Sequence, residues 1–490
     1  MTSLPLLSLL LLAPPVGALL IWLLPGRLSA RTMALGVTAL TFLLSLVVLL
    51  SFNARQAGFQ LVETLPWIPT LGIHYEVGVD GLSVLFLPAT SLLFLAVTLA
   101  SRTAIRTLPR LYFSLLLLFE TATLGVFCAL DTMLFFLFWE LTLLPIYFLV
   151  SLWGSGSDRR YAATKYTLVM LVGGVPLLFG FVLLAFNHAT IAGHLSFDLA
   201  TLLQTPLAKP LQFAVFLLLL VGFAVKAPLF PAHTWLPVMA MEGPAAITAV
   251  LVGLKLGAYG LIRFALPLAP DAARELHWLL AALGAIGVLY GAINALAQTN
   301  LRRMLAYSSF AHVGLVVLGL ASFSLQGIQG AVMMMLNFPL VAGGLFLLTA
   351  FLRRRIGSTD VLQLGGAARR LPLLATFFLF LGLAGMGLPG TSGFPAELLI
   401  VLSVFKTHTG AGLAVLAGMI LSAAYFLSLY RRAFFGPITN PVVGEAVDLQ
   451  PRELLIMLAF ALPVLWFGLD PSLILGVLQP AAEAWTLRFH

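Results

Sequence analysis

Phe213–Pro237 reads FAVFLLLLVGFAVKAPLFPAHTWLP: apolar as far as Val225, then Lys226, then three prolines at 228, 231 and 237. An ionised side chain at bilayer depth costs a few kcal/mol, so it faces a protein interior or water and marks a functional path. Proline removes a backbone donor and interrupts a helix. Irregular backbone at membrane depth is tolerated only where it is buried in protein or lines a cavity. This stretch therefore predicts a multi-helix membrane bundle with a broken helix and a buried cation at its centre.

The rest of the chain agrees with that reading. Of 490 residues, 61% are hydrophobic and only 9% charged, with a mean hydropathy of +1.07, too apolar to cover the surface of a soluble domain. Apolar runs of about 20 residues, the length that crosses a bilayer core of about 30 Å, recur from end to end. They predict an all-α polytopic protein of about 14 transmembrane helices, near 4–24, 32–53, 81–101, 111–129, 132–153, 163–186, 211–229, 244–266, 275–298, 303–321, 326–352, 371–403, 411–431 and 453–474. The first run lacks a basic n-region and holds Pro14 and Pro15, so it reads as a retained helix. The lone Cys128 excludes an intrachain disulfide and a cysteine-cluster metal site.

A net charge of +8 raises the question of nucleic acid, but the basic residues are arranged as the positive-inside rule arranges them. Arg27, Arg31, Arg102, Arg106, Arg110, Arg159, Arg160, Arg302, Arg303, Arg353, Arg354, Arg355, Arg369, Arg370, Arg431 and Arg432 all fall in alternate loops. The intervening loops hold chiefly Arg55, Lys209, Arg274 and Lys406. The arginine side reads as cytoplasmic, which places both termini on the other side.

A second interruption, GLAGMGLPGTSGFPAELL at 382–399, resembles the first in design: glycines and prolines inside an apolar stretch, with a charge, Glu397. Paired broken helices about five helices apart point to inverted repeats around an ion pathway. The expected organisation is N-terminal helices over 1–110, one five-helix repeat over 111–266, a second over 275–431, and a C-terminal helix and tail over 432–490, each repeat holding one discontinuous helix.

Glu140 in LFFLFWELTLLPIYFLV, Lys226, Lys255 in ITAVLVGLKLGAYGLIRF, His312 in AYSSFAHVGLVVLGL, and Glu397 then form a candidate relay. A carboxylate and a lysine shift each other's proton affinity one way while desolvation shifts it the other, so a moving neighbour charge can switch proton transfer. Histidine suits the middle of a relay because its unperturbed pKa lies near neutrality. Each has a structural alternative: Glu140 closing an ion pair, Lys226 satisfying carbonyls freed at the break, Lys255 held about 11 residues into its helix, His312 bonding between helices. His233 and Trp235 fit either a path or an interfacial anchor. Glu120 in LLLLFETATLG fits either a second acid of the path or a partner for a basic neighbour. Asp131 reads as a helix cap and Met333–Met335 as packing.

FFLFWELTLLPIYFLVSLWG, AATKYTLVML, FAVKAPLFPAHTWLP, LKLGAYGLIRFALPL, ALAQTNLRRMLAYSSFAHVGLV and GLPGTSGFPAELLI occur in that order. Together they resemble the antiporter-like subunits of respiratory complex I, in particular the NADH-quinone oxidoreductase subunit M, or chain 4, family. The resemblance runs from about residue 80 to 435. It implies a non-redox, proton-translocating subunit of the membrane arm, with Glu140, Lys226, Lys255, His312 and Glu397 lining its proton path. It implies other membrane-arm subunits as partners, an energy-transducing inner membrane as location, and NADH, flavin, iron–sulfur and quinone sites in partner subunits. This chain itself holds no phosphate loop, no H-E-x-x-H and no cysteine set for a cluster, so it is expected to bind no cofactor. It departs from the family at Val238 and Ala240, where polar residues are usual, and at Phe338, where a histidine is common, with Asn337 beside it. These departures leave two further readings: a subunit of a related cation/proton antiporter or inorganic-carbon uptake complex, and a scaffold paralogue that no longer pumps.

Overall fold

A computed structural model describes residues 4–24, 29–102 and 104–489; Arg27, one of the loop arginines above, lies outside them. Twelve helices among the described residues are long and apolar enough to cross a membrane. They include α1 (Leu6–Leu23), α2 (Ala30–Ser51), α4 (Pro109–Cys128), α7 (Arg159–Ala192) and α8 (Lys209–Lys226). Two further apolar helices are shorter, α3 (Phe86–Ser101) and Pro372–Gly385.

Between α2 and α3 stands a feature the hydropathy reading passed over. Strands β1 (Gln60–Ile68) and β2 (Ile73–Val79) form an antiparallel hairpin, pairing Glu63 with Val77 and Leu65 with Tyr75. Its turn closes at Gly72, whose φ of +66° suits a residue without a Cβ. Glu63 bonds back to α1, accepting from the Leu7 amide at 2.8 Å, so the hairpin is anchored to the bundle.

α5 (Thr132–Leu141) and α6 (Leu143–Trp153) make one span interrupted at Thr142. Pro145, which has no N–H, leaves the carbonyl four residues earlier without its helical partner, and this accounts for the interruption. Asp131 caps α5 as expected, its carboxylate accepting from the amides of Met133 (2.8 Å) and Leu134 (3.1 Å). After α8 comes the proline-rich break, then α9 (Trp235–Glu242).

The next span, Ala245–Leu268, is also divided, into α10 (Ala245–Gly253), α11 (Leu256–Gly260) and a π-helical turn at Leu261–Ala265. The hydropathy pattern predicts one continuous helix around Lys255; the structure instead puts Lys255 between α10 and α11, with Leu254 extended at φ −105° and ψ 125°.

The second half runs α12 (His277–Leu296), α13 (Leu301–Ala321), α14 (Leu325–Ile356), α15 (Pro372–Gly385), α16 (Gly393–Thr407) and α17 (Thr409–Phe434). The expected break over 382–399 separates α15 from α16. α18 (Pro451–Leu469) follows, and the segment read as a tail holds another helix, α19 (Ser472–Thr486).

Sequence character sorts these helices into layers. α4, the Ala245–Leu268 span, α13 and α14 are buried nearly all round. They form the interior and carry Glu120, Lys255, His312 and Phe338. α7 turns Leu168, Val172, Val175 and Phe179 outward, an apolar stripe suited to lipid.

The arginine-bearing loops meet at one end of the bundle. Arg31 donates to the Ile105 carbonyl at 2.6 Å, Arg302 to Gly243 at 2.7 Å, and Arg353 to the Ser155 carbonyl at 2.8 Å. Helical hydrogen bonding alone leaves these loop carbonyls unpaired, so the guanidinium groups both orient the loops and satisfy them.

Candidate functional site: a line of buried ionisable residues at helix breaks

Lys226 is the last residue of α8, buried to 9% exposure. Its ammonium donates to the Trp139 carbonyl and to Thr142 Oγ1, both at 2.9 Å, and lies 3.9 Å from the centre of the Trp139 ring. Both acceptors belong to the α5–α6 interruption, so one helix end reaches into the gap in another span. A desolvated cation over an indole face contributes about 2 kcal/mol.

Glu140, one residue past Trp139, is half-buried and makes no hydrogen bond through Oε1. The ion pairs among the described residues are Lys209–Glu275, Arg263–Asp80, His312–Glu397 and Arg355–Glu453. Glu140 with Lys226 is not among them: the two share a neighbourhood but the lysine is held by neutral oxygens. The carboxylate lies instead against Gly174 of α7, where a Cβ would come within 2.3 Å of Oε1.

Lys255 sits in the gap between α10 and α11. Its ammonium donates to Ser309 Oγ at 2.7 Å and to the Val252 carbonyl, one of those freed by the break. The two lysine-bearing breaks touch: a Cβ on Gly257 would lie 2.2 Å from the amide nitrogen of Ala227, so only glycine permits this approach. A cavity of about 20 Å³ adjoins both, lined by Thr142, Tyr166, Lys226, Leu254 and Leu256, a volume that suits roughly one water.

Phe338 occupies the space between Lys255 and the next group. Its ring centre is 4.4 Å from the Lys255 ammonium and 6.2 Å from the His312 ring, edge to face. Adjacent serines of α13 serve the groups on its two sides. Ser309 accepts from Lys255, while its neighbour Ser308 accepts from Tyr425 Oη at 2.7 Å and offers its carbonyl 2.7 Å from His312 Nδ1. Asn337, the polar residue beside Phe338, points elsewhere and accepts from Ser392 Oγ at 2.6 Å.

His312 Nε2 lies 2.8 Å from the carbonyl of Gly385, the last residue of α15. Carbonyl oxygens only accept, so both ring contacts are hydrogen bonds at once only when the imidazole carries two protons. The arrangement therefore distinguishes the two protonation states by one hydrogen bond.

Glu397 on α16 completes the line, with Oε1 3.8 Å from His312 Nε2 and Oε2 buried without a partner. Oε2 faces Gly387, whose φ is +70° and where a Cβ would lie 2.1 Å away. A second cavity of about 10 Å³ is lined by His312, Glu397, Ser422 and Tyr425.

The two remaining candidates lie elsewhere. His233 stands in an aromatic box, its ring centre 4.5 Å from that of Phe310 and 5.1 Å from that of Tyr290, with Nδ1 unpartnered. Glu120 on α4 is fully buried and neither of its oxygens has a hydrogen-bond partner, so the structure gives it no basic neighbour to pair with.

Sequence reasoning missed Thr142, Ser309, Tyr425 and the two facing glycines. It also missed Asp80 and Arg263, a two-pronged buried ion pair at 2.7 and 2.5 Å beside the π-helical turn, with Arg263 Nε donating to Tyr259 Oη at 3.1 Å. Arg263 inside an apolar window was the available signal.

Residues 129–423, more than half of the chain, match the family described as NADH:quinone oxidoreductase/Mrp antiporter, TM. NADH-quinone oxidoreductase subunit M of Rhodobacter capsulatus is 37% identical over 471 residues, covering 94% of this chain and 91% of the relative. A chain of respiratory complex I from Thermus thermophilus with bound NADH superposes with a TM-score of 0.90 at 32% identity, covering 99% of this chain and all of that one. A chain of the Mrp complex from Dietzia sp. DQ12-45-1b shares the fold, with a TM-score of 0.84 at 23% identity over 98% of this chain and 52% of its own length.

Proposed function

The chain belongs to the NADH:quinone oxidoreductase/Mrp antiporter transmembrane family, and on that premise we propose that it is a proton-translocating membrane-arm subunit of an NADH-quinone oxidoreductase. The observation that carries the reading is the coincidence of charge and break: Lys226, Lys255 and the His312–Glu397 pair each sit where a helix is interrupted, and the first two breaks pack directly on each other at Ala227 and Gly257. An interrupted helix supplies free carbonyls and hydroxyls that can hold an ammonium or imidazolium in a dry interior. Glu140 loads the line, Lys226 and Lys255 pass the proton, and His312 delivers it to Glu397. Each transfer exchanges one N–H or O–H bond for another.

In this reading the two short apolar helices complete 14 crossings, residues 111–266 and 275–431 act as the two repeats, and the arginine end faces the cytoplasm with both termini opposite. The membrane is an energy-transducing inner membrane. Other membrane-arm subunits are its neighbours, and they and the redox subunits hold NADH, flavin, iron–sulfur clusters and quinone; this chain carries no redox step. In this reading the proton passes Phe338 by way of the adjacent serines of α13, Ser309 holding Lys255 and the Ser308 carbonyl facing His312.

Two measurements together test the reading. A tagged chain should co-purify with an assembly that oxidises NADH with quinone, and vesicles holding that assembly should move protons during turnover. Purification with an assembly that lacks NADH oxidation would instead favour the antiporter or carbon-uptake class, and turnover without any contribution from this chain's buried residues would favour a scaffold.

A further inference from the structure

The arginine end of the bundle holds more positive charge than its own acids answer. Arg302 is fully buried, enters none of the ion pairs named above and leaves Nε without a partner. Its other donors reach Ser155 Oγ at 3.3 Å and the Gly243 carbonyl at 2.7 Å. Arg353 donates to the same serine, at 2.6 Å to Oγ and 2.8 Å to the carbonyl. Glu242 is within electrostatic reach of both arginines, but its Oε2 accepts from the Asp158 amide at 3.0 Å. Buried cations held by neutral oxygens alone carry an uncompensated charge, and a nearby anion offsets that cost.

A cavity of about 240 Å³ opens beside this cluster, with Arg353, Arg354 and Ser155 in its wall. Arg354 also enters none of those ion pairs, and Arg106 adds to the positive field around it. We propose that this cavity binds the phosphate group of an anionic phospholipid, seating its headgroup at the arginine end. The site is separate from the proton line and does not depend on it.

The rest of the wall supplies hydrogen-bond donors. Tyr112 Oη and Ser101 Oγ both belong to buried residues of the lining and lie 2.9 Å apart. One donates to the other, which leaves one hydroxyl proton for an oxygen in the cavity. α10 begins at the same wall: Ala245 and Ala246 are its first two residues, and no side chain caps it. The first amides of a helix have no partner within it, and together with the guanidinium groups they favour a negative group here.

Apolar surface leads away from the cavity, and this is what selects a lipid over a free anion. α6 ends at Trp153 in the cavity wall, and Leu144, Phe148 and Leu152 are exposed along its length. Side chains four apart share one helix face, so they form a stripe running from the cavity into the membrane. An acyl chain can lie along that stripe while its phosphate sits among the arginines, and inorganic phosphate gains nothing from it. Basic pockets between transmembrane helices hold anionic headgroups in this way.

The test uses the purified assembly that contains the chain, in phosphatidylcholine nanodiscs doped with a phosphatidylglycerol that bears a diazirine at the head of one acyl chain. After illumination, peptides spanning residues 101–112 and 350–354 should carry the label. A phosphatidylcholine probe of the same design should label them about fivefold less or lower still. Excess unlabelled phosphatidylglycerol should displace the probe, and inorganic phosphate should not. Arg354→Gln removes one charge, and Ala104→Phe fills the cavity from an exposed loop position; each should lower labelling about fivefold. Arg370→Gln, at an exposed arginine outside the cavity wall, should label as the native chain does. A native elution profile verifies that each variant assembles.

Equal labelling by the two probes would overturn the proposal, as would native labelling in both cavity variants. A loss in Arg370→Gln equal to that in Arg354→Gln would do the same, because it reports general surface charge. Absence of label from these peptides, as when a neighbouring subunit fills the cavity, also overturns it. Displacement by inorganic phosphate as effective as by phosphatidylglycerol would overturn the lipid as the source of the anion.

Discussion

Gly174 lies so close to Glu140 that a Cβ on the glycine would stand 2.3 Å from the carboxylate's Oε1. Gly387 faces Oε2 of Glu397 in the same way, at 2.1 Å. The first and last acids of the line therefore each rest against the bare backbone of a neighbouring segment. No real Cβ tolerates such an approach, so any larger residue must move the carboxyl group.

Gly174→Ala is expected to leave the complex assembled but to lower NADH-driven proton movement about tenfold, because a misplacement of about 1 Å at a transfer site costs that order or more. Glu140→Asp in the same chain shortens the acid and should restore part of the rate. Proton uptake by vesicles of the single and double variants checks this. Gly387→Ala should be worse, since its φ of +70° adds backbone strain of about 1–2 kcal/mol.

The candidate path residues were legible because a charge inside an apolar window has few innocent explanations. Glu140, Lys226, Lys255, His312 and Glu397 were all visible as candidates this way, as were the break after Lys226 and the one over 382–399. The break at Lys255 was not, because no proline marks it; Gly253 and Gly257 flank it, but its cause is the close packing of Gly257 on Ala227, a contact between distant segments. The hairpin over 60–79 escaped because hydropathy windows tuned to helices are blind to a period of two. Partners of the lysines also depend on tertiary geometry: nothing in the order of residues says that Lys226 bonds Thr142 rather than Glu140.

Ser309 is the side-chain oxygen that holds the Lys255 ammonium, at 2.7 Å. Ser309→Ala removes a hydrogen bond to a charged group and should cost about 1.5–3 kcal/mol at that site, slowing proton movement by about tenfold or more. Ser309→Thr keeps the hydroxyl and should stay near native. Equal behaviour of the two variants would show that the hydroxyl is not part of the route.

Asp80 and Arg263 are both buried, and the pair ties the segment before α3 to the π-helical turn beyond Lys255. Asp80→Asn leaves a guanidinium buried without its counter-charge and should destabilise the chain by about 3–5 kcal/mol. Thermal denaturation of the purified complex should show the loss, and Asp80→Leu with Arg263→Met should recover much of it by removing both charges.

Glu76, on the hairpin outside the membrane, is pushed up to about 7 by burial and then by neighbouring Asp198. The folded state therefore binds its proton more tightly than the unfolded chain, whose carboxyl titrates near 4.5. This contribution to stability is fully present below that value and is lost as pH rises through about 7. Glu76→Gln should accordingly raise the melting temperature above neutrality and change little in acid, a difference that hydrogen exchange of the hairpin amides would localise.

The most direct measurement is NADH-driven proton uptake by inverted membrane vesicles, comparing the native chain with Glu140→Gln after assembly has been verified. Glutamine nearly preserves the size of the side chain against Gly174 and removes only the exchangeable proton. The account predicts that uptake and coupled quinone reduction both collapse. Native rates of both in the variant would contradict it, because a line of buried groups that loses its first acid without consequence is not carrying the proton.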